Sequence, residues 1–342
     1  MAIVTGKSHS VPTTAKRTAR WQRALNSAVR DPGELLRRLH LPSDYLAPAR
    51  RAARLFPLFA PLSFVRRMEV GNPHDPLLRQ VLPLELELHP TEGDQVDPLD
   101  EAAAARSPGL LQKYTGRALL ITTGACAIHC RYCFRRHFPY NDGPRSLDQW
   151  QPALQILRSD PSIEEVLLSG GDPLTLVDSQ LDALIGAIAE IGHVRRLRIH
   201  TRLPIVVPER VTERLLASLN TTRLTSIVVV HVNHPAEIDS QVSAALRSLL
   251  EDGVTVLNQS VLLRGVNDSL DALIGLSRGL INLGVVPYYL HQLDRVSGAA
   301  HFEVSVTRGR QLVRAMRAQL PGYAVPRYVA EKPDGDCKEL IA

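Results

Sequence analysis

The sequence of 342 residues lacks any apolar run near the roughly 20 residues that a membrane-spanning helix needs. Its first ten residues also lack the apolar centre of a secretory signal peptide, so we expect a cytoplasmic protein without membrane contact. Cysteine is scarce, and three of the 4 cysteines fall within a span of eight positions. So few cysteines, so closely grouped, do not predict a disulfide framework.

Aromatic residues are few, at 5% of the chain, and no Lys/Arg-rich run contains interleaved aromatics. The net charge of +5 is compatible with nucleic-acid binding, but arginines scattered over solvated helix faces explain it as well. We therefore expect no direct nucleic-acid partner. Lysine is also sparse, and the lysines are Lys7, Lys16, Lys113, Lys332 and Lys338.

The three grouped cysteines, Cys126, Cys130 and Cys133, form a C-x₃-C-x₂-C pattern directly after an apolar segment at 119–123. A [4Fe–4S] cluster normally takes one cysteine for each iron, so three thiolates leave one iron open to a small molecule. Structural zinc sites usually pair C-x₂-C with a second C-x₂-C or with a histidine pair, and the remaining cysteine here is the distant Cys337. The pattern favours an iron–sulfur cluster over a zinc site or inert thiols.

The first hundred residues have a helical pattern with irregular links, and the acidic stretch 92–101 is predicted as a surface loop. From residue 117 onward, strand-like and helical segments alternate. Strands are predicted at 118–123, 165–169, 196–201, 226–232, 254–263 and 285–291, with helices near 147–158, 179–191, 209–219, 236–251, 269–283 and 305–319. Six β/α units predict an α/β fold with a parallel sheet, a partial (β/α)₆ TIM-like barrel two units short of closure.

A glycine turn, Ser169-Gly170-Gly171-Asp172, follows the second predicted strand, one β/α unit after the cysteines. Glycines let the backbone approach a ligand closely and expose its polar groups. Catalytic groups of such barrels gather at the carboxyl ends of the strands. The turn and the cysteines are therefore predicted to share one site.

The cysteine spacing, with the aromatic Tyr132 before the third cysteine, resembles that of the radical S-adenosylmethionine (SAM) enzymes. Longer stretches resemble the lysine 2,3-aminomutase family, and within it the short subgroup that serves β-lysylation of elongation factor P. The matching stretches lie between about residue 72 and residue 338, at 75–81, 133–136, 168–172, 231–235, 258–268 and 287–291. The longer family members carry a C-terminal extension, and the end of this sequence at Ala342 suits the short subgroup.

The resemblance implies three cofactors: a [4Fe–4S] cluster, SAM and pyridoxal 5′-phosphate (PLP). It implies a helical N-terminal region at 1–105, a radical SAM core at 106–325 and a C-terminal segment with the PLP lysine at 326–342. Lys338 matches the family's Schiff-base lysine, with Lys332 as the alternative, and Lys113 and Arg117 match its phosphate-binding positions. The implied SAM-binding residues are Ser169, Gly170, Gly171, Asp172, His231 and Gln259, and Asp172 stands where many members have Glu.

The resemblance also implies a site for the substrate L-lysine. Arg135 matches the residue that binds the α-carboxylate, a task that suits a guanidinium fork. Asp294 and Glu331 match the two carboxylates that receive the ε-ammonium, and the short subgroup carries Glu at the second position.

The implied activity is isomerisation of L-α-lysine to β-lysine by migration of the 2-amino group to carbon 3. The implied partners are a reducing electron donor such as flavodoxin or ferredoxin, and a functional link to elongation factor P and its lysyl ligase. Two other classes stay open at this point. One is a radical SAM enzyme that modifies RNA without PLP, and the other is a non-catalytic iron–sulfur protein for electron transfer or sensing.

Overall fold

The computed structural model describes residues 14–140, 143–333 and 335–342. Its helices are α1 (Thr14–Asn26), α2 (Pro32–Arg38), α3 (Leu46–Leu55), α4 (Leu62–Val65), α5 (Pro76–Arg79), α6 (Leu147–Ser159), α7 (Asp178–Ala189), α8 (Leu203–Val206), α9 (Glu213–Asn220), α10 (Ser240–Glu251), α11 (Leu270–Leu283) and α12 (Val306–Arg317). Its strands are β1 (Ala105–Ser107), β2 (Leu110–Leu111), β3 (Arg117–Thr123), β4 (Glu165–Gly170), β5 (Arg196–Thr201), β6 (Thr225–His231), β7 (Thr255–Val261), β8 (Val286–His291), β9 (Arg327–Ala330) and β10 (Glu339–Leu340).

The strands form one sheet whose spatial order follows the chain, from β1 to β10. Strands β3 to β9 run parallel, while β1 and β2 at one edge and β10 at the other are antiparallel to their neighbours. Helices connect consecutive parallel strands from β3 to β9, as right-handed crossovers require. The α/β fold and its partial barrel, predicted from six β/α units, are confirmed.

The parallel sheet has one strand more than predicted, because β9 also pairs in parallel with β8. This strand has only four residues and follows a proline, so its pattern is too short for a strand prediction. Two predicted helix starts are also wrong. Pro208 and Pro235 begin short 3₁₀ turns, and the helices behind them begin at Glu213 and Ser240.

The true starts of these two helices are set by side-chain caps. Thr212 accepts a hydrogen bond from the backbone N–H of Leu215, and Asp239 accepts one from Val242. Such caps satisfy N–H groups that a helix leaves without partners in its first turn. In the N-terminal region, the side chain of Asp31 accepts a hydrogen bond from the backbone N–H of Glu34 at the start of α2, and Pro32 occupies the first helical position.

One large hydrophobic cluster joins the N-terminal helices to the sheet. It contains the fully buried Trp21, Leu35 and Phe64 from the N-terminal region together with Trp150 of α6 and Val228 of β6. A smaller cluster under α11, α12 and β9 closes the other side of the barrel. Within the described part of the chain, no helix has the length and apolar character to cross a membrane.

Candidate active site

A cavity of about 490 Å³ opens inside the partial barrel. It extends from the loop after β3 down to the start of the same strand, so it includes more than the carboxyl ends of the strands. Every site residue predicted from the sequence lines it: Lys113, Arg117, Cys126, Cys130, Cys133, Arg135, Ser169, Gly170, Gly171, Asp172, His231, Gln259, Asp294, Glu331 and Lys338. The fold therefore gathers residues that lie up to 225 positions apart in the chain, from 113 to 338.

The three cysteines lie on the loop after β3 and are all unpaired, partly exposed thiols. Burial, together with the neighbouring thiols, raises the pKa of Cys133 to about 12 and raises that of Cys126 as well. Among the described residues, no three His, Cys, Asp or Glu donors converge on a position for one metal ion. Cys126, Cys130 and Cys133 line one cavity, as the three cysteine ligands of a cluster with one open iron would.

Two backbone hydrogen bonds fix the cysteine loop to the glycine turn after β4. The N–H of Gly171 donates to Thr123 at 2.7 Å, and the N–H of Asp172 donates to Ala125 at 2.7 Å. A Cβ atom at position 171 would lie 2.2 Å from the carbonyl oxygen of Ala125. Gly170 has a φ of +118°, a conformation that side chains with a Cβ rarely adopt. The glycines are needed because the two segments touch.

The carboxylate of Asp172 is buried and makes four hydrogen bonds within the protein. Each oxygen accepts two of them, and the donors are the backbone N–H groups of Leu174, Arg202 and Leu203 and the hydroxyl of Thr201. These bonds hold the turn after β4 against the end of β5. The side chain of Asp172 is thus fully used in positioning the turn.

The guanidinium of Arg202, just beyond the end of β5, contacts the loop that carries the three cysteines. It donates to the Sγ of Cys130 at 2.8 Å and to the hydroxyl of Tyr132 at 2.9 Å. Its Nη2 atom donates to Gln80 at 2.6 Å and to Glu237 at 2.8 Å. Arg202 was not predicted from the sequence, although it follows the carboxyl end of a strand, where the site residues of barrels collect.

His231 and Gln259 are direct neighbours in the register of β6 and β7. The Nε2 atom of His231 lies 3.2 Å from the hydroxyl of Tyr132 and 3.2 Å from the side-chain oxygen of Asn233. Burial and the charge of Arg202 lower the pKa of His231 to about 3, so its ring is neutral. Both side chains therefore offer neutral hydrogen-bonding groups close to the cysteine loop.

Arg135 is buried and paired with Glu101, a residue predicted from the sequence to lie in a surface loop. Its Nε and Nη2 atoms donate to Glu101 at 2.7 and 2.6 Å, and its Nη1 donates to the hydroxyl of Ser169 at 2.9 Å. Burial alone would lower the pKa of Arg135, but Glu101 and nearby acidic groups outweigh it and raise the pKa. The prediction of a surface loop is wrong for Glu101, which lines the cavity.

At the end of the cavity away from the cysteine loop, three polar side chains lie near the Glu331 carboxylate. The ammonium of Lys338 contacts it, the hydroxyl of Tyr114 donates to it at 2.7 Å, and the ammonium of Lys113 lies 3.7 Å away. Burial opposes ionisation, but Lys338 and the hydrogen bonds outweigh it and lower the pKa of Glu331 to about 2. Arg117 stacks over the ring of Tyr114 at 4.5 Å, which brings a third cation to this end.

The second predicted carboxylate, Asp294, lies beyond β8, and its pKa is shifted upward whereas that of Glu331 is shifted downward. Burial, together with the negative charge of Glu331, raises the pKa of Asp294 to about 7. Asp294 is therefore partly protonated near neutral pH, whereas Glu331 is ionised. Two carboxylates on the wall of one cavity attract a cation.

The two candidate lysines differ clearly in their surroundings. Lys338 lines the cavity and contacts Glu331. Lys332 has a side chain that is 58% exposed, and its ammonium lies 2.7 Å from the carboxylate of Glu339 on the surface. Only Lys338 therefore has an amine that can react with a molecule held inside the barrel.

Two further histidines, His200 on β5 and His291 on β8, line the same cavity and were missed from the sequence. Their Nε2 atoms are buried and have no hydrogen-bond partner among the described residues. Burial and the positive charges around them lower the pKa of His291 to about 3 and the pKa of His200 as well. Buried polar atoms without partners are rare in native proteins, so these nitrogens indicate a polar ligand in the cavity.

Comparison with known proteins then identifies the family. The model of the radical SAM superfamily matches residues 120–276. The chain is 46% identical over 325 residues to the L-lysine 2,3-aminomutase of Escherichia coli K12, an alignment that covers 95% of both chains. It is 45% identical to the enzyme of that name from Haemophilus influenzae, covering 94% of this chain and 95% of the relative. The chain belongs to the lysine 2,3-aminomutase family.

Family membership makes the chain a radical SAM isomerase, and it implies a [4Fe–4S] cluster, SAM and PLP as cofactors. The residues present fit these groups. The three cysteine thiols on the cavity wall suit the cluster, and the glycine turn is hydrogen-bonded directly to the loop that carries them. At the other end, an amine, two cations and two histidine nitrogens without partners suit an aldehyde cofactor that carries a phosphate.

Proposed function

We propose that this lysine 2,3-aminomutase family member converts L-α-lysine to β-lysine, with PLP held on Lys338. When bound, the reduced cluster and SAM supply a 5′-deoxyadenosyl radical that removes a hydrogen atom, and PLP carries the migrating nitrogen. The single observation that carries the proposal is the lining of one cavity. Three cysteines, a buried arginine, two carboxylates and a reactive lysine all face the same space of about 490 Å³.

The arrangement of charge favours lysine over other amino acids. We propose that Arg135 binds the α-carboxylate, since a guanidinium offers two parallel N–H donors to it. Asp294 and Glu331, which line the same cavity, then receive the ε-ammonium. An amino acid with an acidic side chain would place a further negative charge beside Asp294 and Glu331, which is unfavourable in a buried site, and one with a neutral side chain would gain no ionic contact there.

We propose that the cofactors are distributed along the cavity. Cys126, Cys130 and Cys133 hold the cluster, and the backbone at 169–172 with His231 and Gln259 binds SAM next to it. Lys113 and Arg117 neutralise the phosphate of PLP, because both are cations on the cavity wall close to the ring of Tyr114. The barrel wall of buried side chains excludes water, which protects radical intermediates from side reactions.

The proposed physiological role is to supply β-lysine for the modification of elongation factor P through its lysyl ligase. Glu331 supports this role, since the short subgroup carries Glu where the longer members carry Asp. A flavodoxin or ferredoxin is the proposed electron donor. The role predicts that elongation factor P from a strain lacking this gene has lost the mass of a β-lysyl group, and an unchanged mass would remove the link.

An anaerobic assay with isotopically labelled lysine, a strong reductant, SAM and PLP tests the activity directly. We expect β-lysine as the product and SAM to be regenerated rather than consumed in proportion to product. Protein that holds four irons and PLP but yields no β-lysine would refute the proposal. Cleavage of SAM by protein that binds no PLP would instead favour the RNA-modifying class.

A further inference from the structure

The segment from Asp94 to Glu101, called the strap below, connects the two ends of the proposed lysine site. Near its start, the N–H of Gln95 donates to the carbonyl of Arg295 at 2.9 Å, and the N–H of Ser297 donates back to Gln95 at 2.9 Å. These bonds attach the strap to the loop that carries Asp294. At its other end, Glu101 pairs with Arg135.

The backbone at the Glu101 end of the strap is fixed by Asp97. One carboxylate oxygen of Asp97 accepts the N–H of Glu101 at 3.1 Å, and the other accepts the N–H of Ala102 at 3.2 Å. The side chain of Glu101 is only 12% exposed and that of Arg135 only 7%. Such a buried pair is costly to break, because either charge alone would be left without compensation in a medium of low dielectric constant.

The geometry of the Glu101–Arg135 pair determines which donors remain for a ligand. A guanidinium has five N–H donors. Glu101 takes the side formed by Nε and Nη2, and Ser169 takes one hydrogen of Nη1. One hydrogen on Nη1 and one on Nη2 remain, and the end face between these two nitrogens is not occupied by Glu101. Two parallel donors of this kind match the two oxygens of a carboxylate.

We propose that Glu101 is a positioning residue for substrate recognition, which holds Arg135 from the side so that its end face receives the α-carboxylate of lysine. This inference rests on the proposed function of the cavity. Glu101 does not compete with the substrate, because it occupies the Nε side and leaves the end face open. Since the Glu101–Arg135 pair is electrically neutral, recognition of the substrate carboxylate depends on the direction of the donors more than on net charge.

The test compares Glu101→Gln with a matched control, Glu85→Gln. Glu85 makes the same side-on contact with Arg51, at 3.1 Å to Nε and 2.6 Å to Nη2, but on the surface. The substrates are L-lysine and L-lysinamide, which lacks the carboxylate. Iron content, PLP absorbance, KM and kcat are measured for the wild-type holoenzyme and both variants.

We expect Glu101→Gln to raise the KM for lysine about tenfold or more and to have a smaller effect on kcat. A tenfold rise corresponds to the loss of one oriented, charge-assisted contact. The kcat/KM for lysinamide should stay within about twofold of the wild-type value, because that substrate does not need a carboxylate fork. The preference for lysine over lysinamide therefore collapses, while iron and PLP contents are unchanged. Glu85→Gln should match the wild type in every measurement.

An unchanged or lowered KM for lysine would overturn the inference, since a lowered value means that Glu101 competes with substrate. Equal losses with both substrates would also overturn it, because they indicate a general structural role. If Glu101→Gln does not load its cofactors, Glu101→Asp decides. Its shorter side chain draws Arg135 away from the cavity, so the KM for lysine should still rise several-fold with lysinamide unaffected. Failure of the wild type to isomerise lysine would instead refute the proposed function.

Discussion

The two carboxylates at the far end of the cavity titrate differently although they face the same space. Glu331 has its pKa lowered to about 2 by Lys338 and its hydrogen bonds, so it is ionised at every physiological pH. The pKa of Asp294 is raised to about 7 by burial and by Glu331. Asp294 is therefore the group whose ionisation changes near neutral pH, and the binding of an ammonium group requires its ionised form.

This difference predicts the acid limb of the pH profile. The kcat/KM for lysine should rise with pH up to about 7 and should fall roughly tenfold per pH unit below that value, as Asp294 becomes protonated in the free enzyme. Asp294→Asn should remove this limb and raise the KM for lysine, whereas Asp271→Asn, on the exposed face of α11, should leave the profile unchanged. A wild-type profile that is flat between pH 6 and about 8 would assign Asp294 to structure.

The two lysines near the C-terminal hairpin provide a second comparison at the residue scale. Lys338→Ala should abolish the absorbance of PLP bound to the protein while the iron–sulfur spectrum remains, because no other described lysine amine contacts Glu331 as closely. Lys332→Ala should keep both spectra, since its side chain pairs with Glu339 at the surface. Loss of the PLP signal in the Lys332 variant alone would transfer the role to that residue.

Individual residues were predictable where a motif of unusual composition marked them. The cysteines and the glycine turn fall in this group, and the structure places both on the cavity wall. Arg202, His200 and Glu101 were missed because a single arginine, histidine or glutamate has no distinctive spacing. Their importance comes from contacts across the fold, such as the bond from Arg202 to Cys130, which links residues 72 positions apart.

At the scale of elements, the cysteine loop depends on close contact with the turn after β4. Gly171→Ala should distort this contact, because the new Cβ would lie 2.2 Å from the carbonyl of Ala125, a backbone atom that cannot rotate away. We expect most of the bound iron to be lost with little change in helix content. Gly186→Ala in α7 is the control, since no atom lies within 4 Å of a Cβ there.

The control should retain its iron and gain up to about 1 kcal/mol in the free energy of unfolding, because alanine is the better helix former. Iron content and thermal melting measured by far-UV circular dichroism distinguish the two variants. Full iron binding by Gly171→Ala would show that the loop can move without harming the site, and would remove the proposed reason for glycine at this position.

Helices and strands with a clear periodicity of apolar residues were predicted well, whereas short elements were not. The strands β3 to β8 and the helices between them were predicted because each has several turns or alternations of apolar residues. The strand β9 was missed because four residues carry no usable period, although it places Glu331 at the cavity. The starts at Pro208 and Pro235 were wrong because proline also suits the first position of a 3₁₀ turn.

For the whole molecule, the boundary predicted at residue 105 separates segments that share one core. The cluster that contains Trp21 and Leu35 continues through Trp150 and Val228 without interruption. The guanidinium of Arg210, behind β5, lies 4.7 Å from the ring centre of Trp21 and 2.9 Å from Asp178 of α7. Because these contacts are buried, the N-terminal helices and the barrel should unfold together.

Trp21→Ala tests this expectation. Trp21 is 1% exposed, and removal of such a side chain costs about 3–5 kcal/mol through lost burial and the cavity left behind. The chain has 2 tryptophans, so the fluorescence of the variant comes from Trp150 in α6 alone and reports on the barrel. In urea, we expect circular dichroism and Trp150 fluorescence to show the same transition, shifted to lower urea concentration.

Leu55→Ala is the control, since Leu55 is 69% exposed and its removal should change the free energy of unfolding by less than about 0.5 kcal/mol. Two separate transitions in Trp21→Ala, with Trp150 fluorescence unfolding at the wild-type urea concentration, would make the N-terminal helices an independent unit. A single shifted transition means that a core residue more than a hundred positions before the cysteines stabilises the barrel that carries them. Destabilising changes in α1 should then lower cofactor binding at working temperature without touching the site.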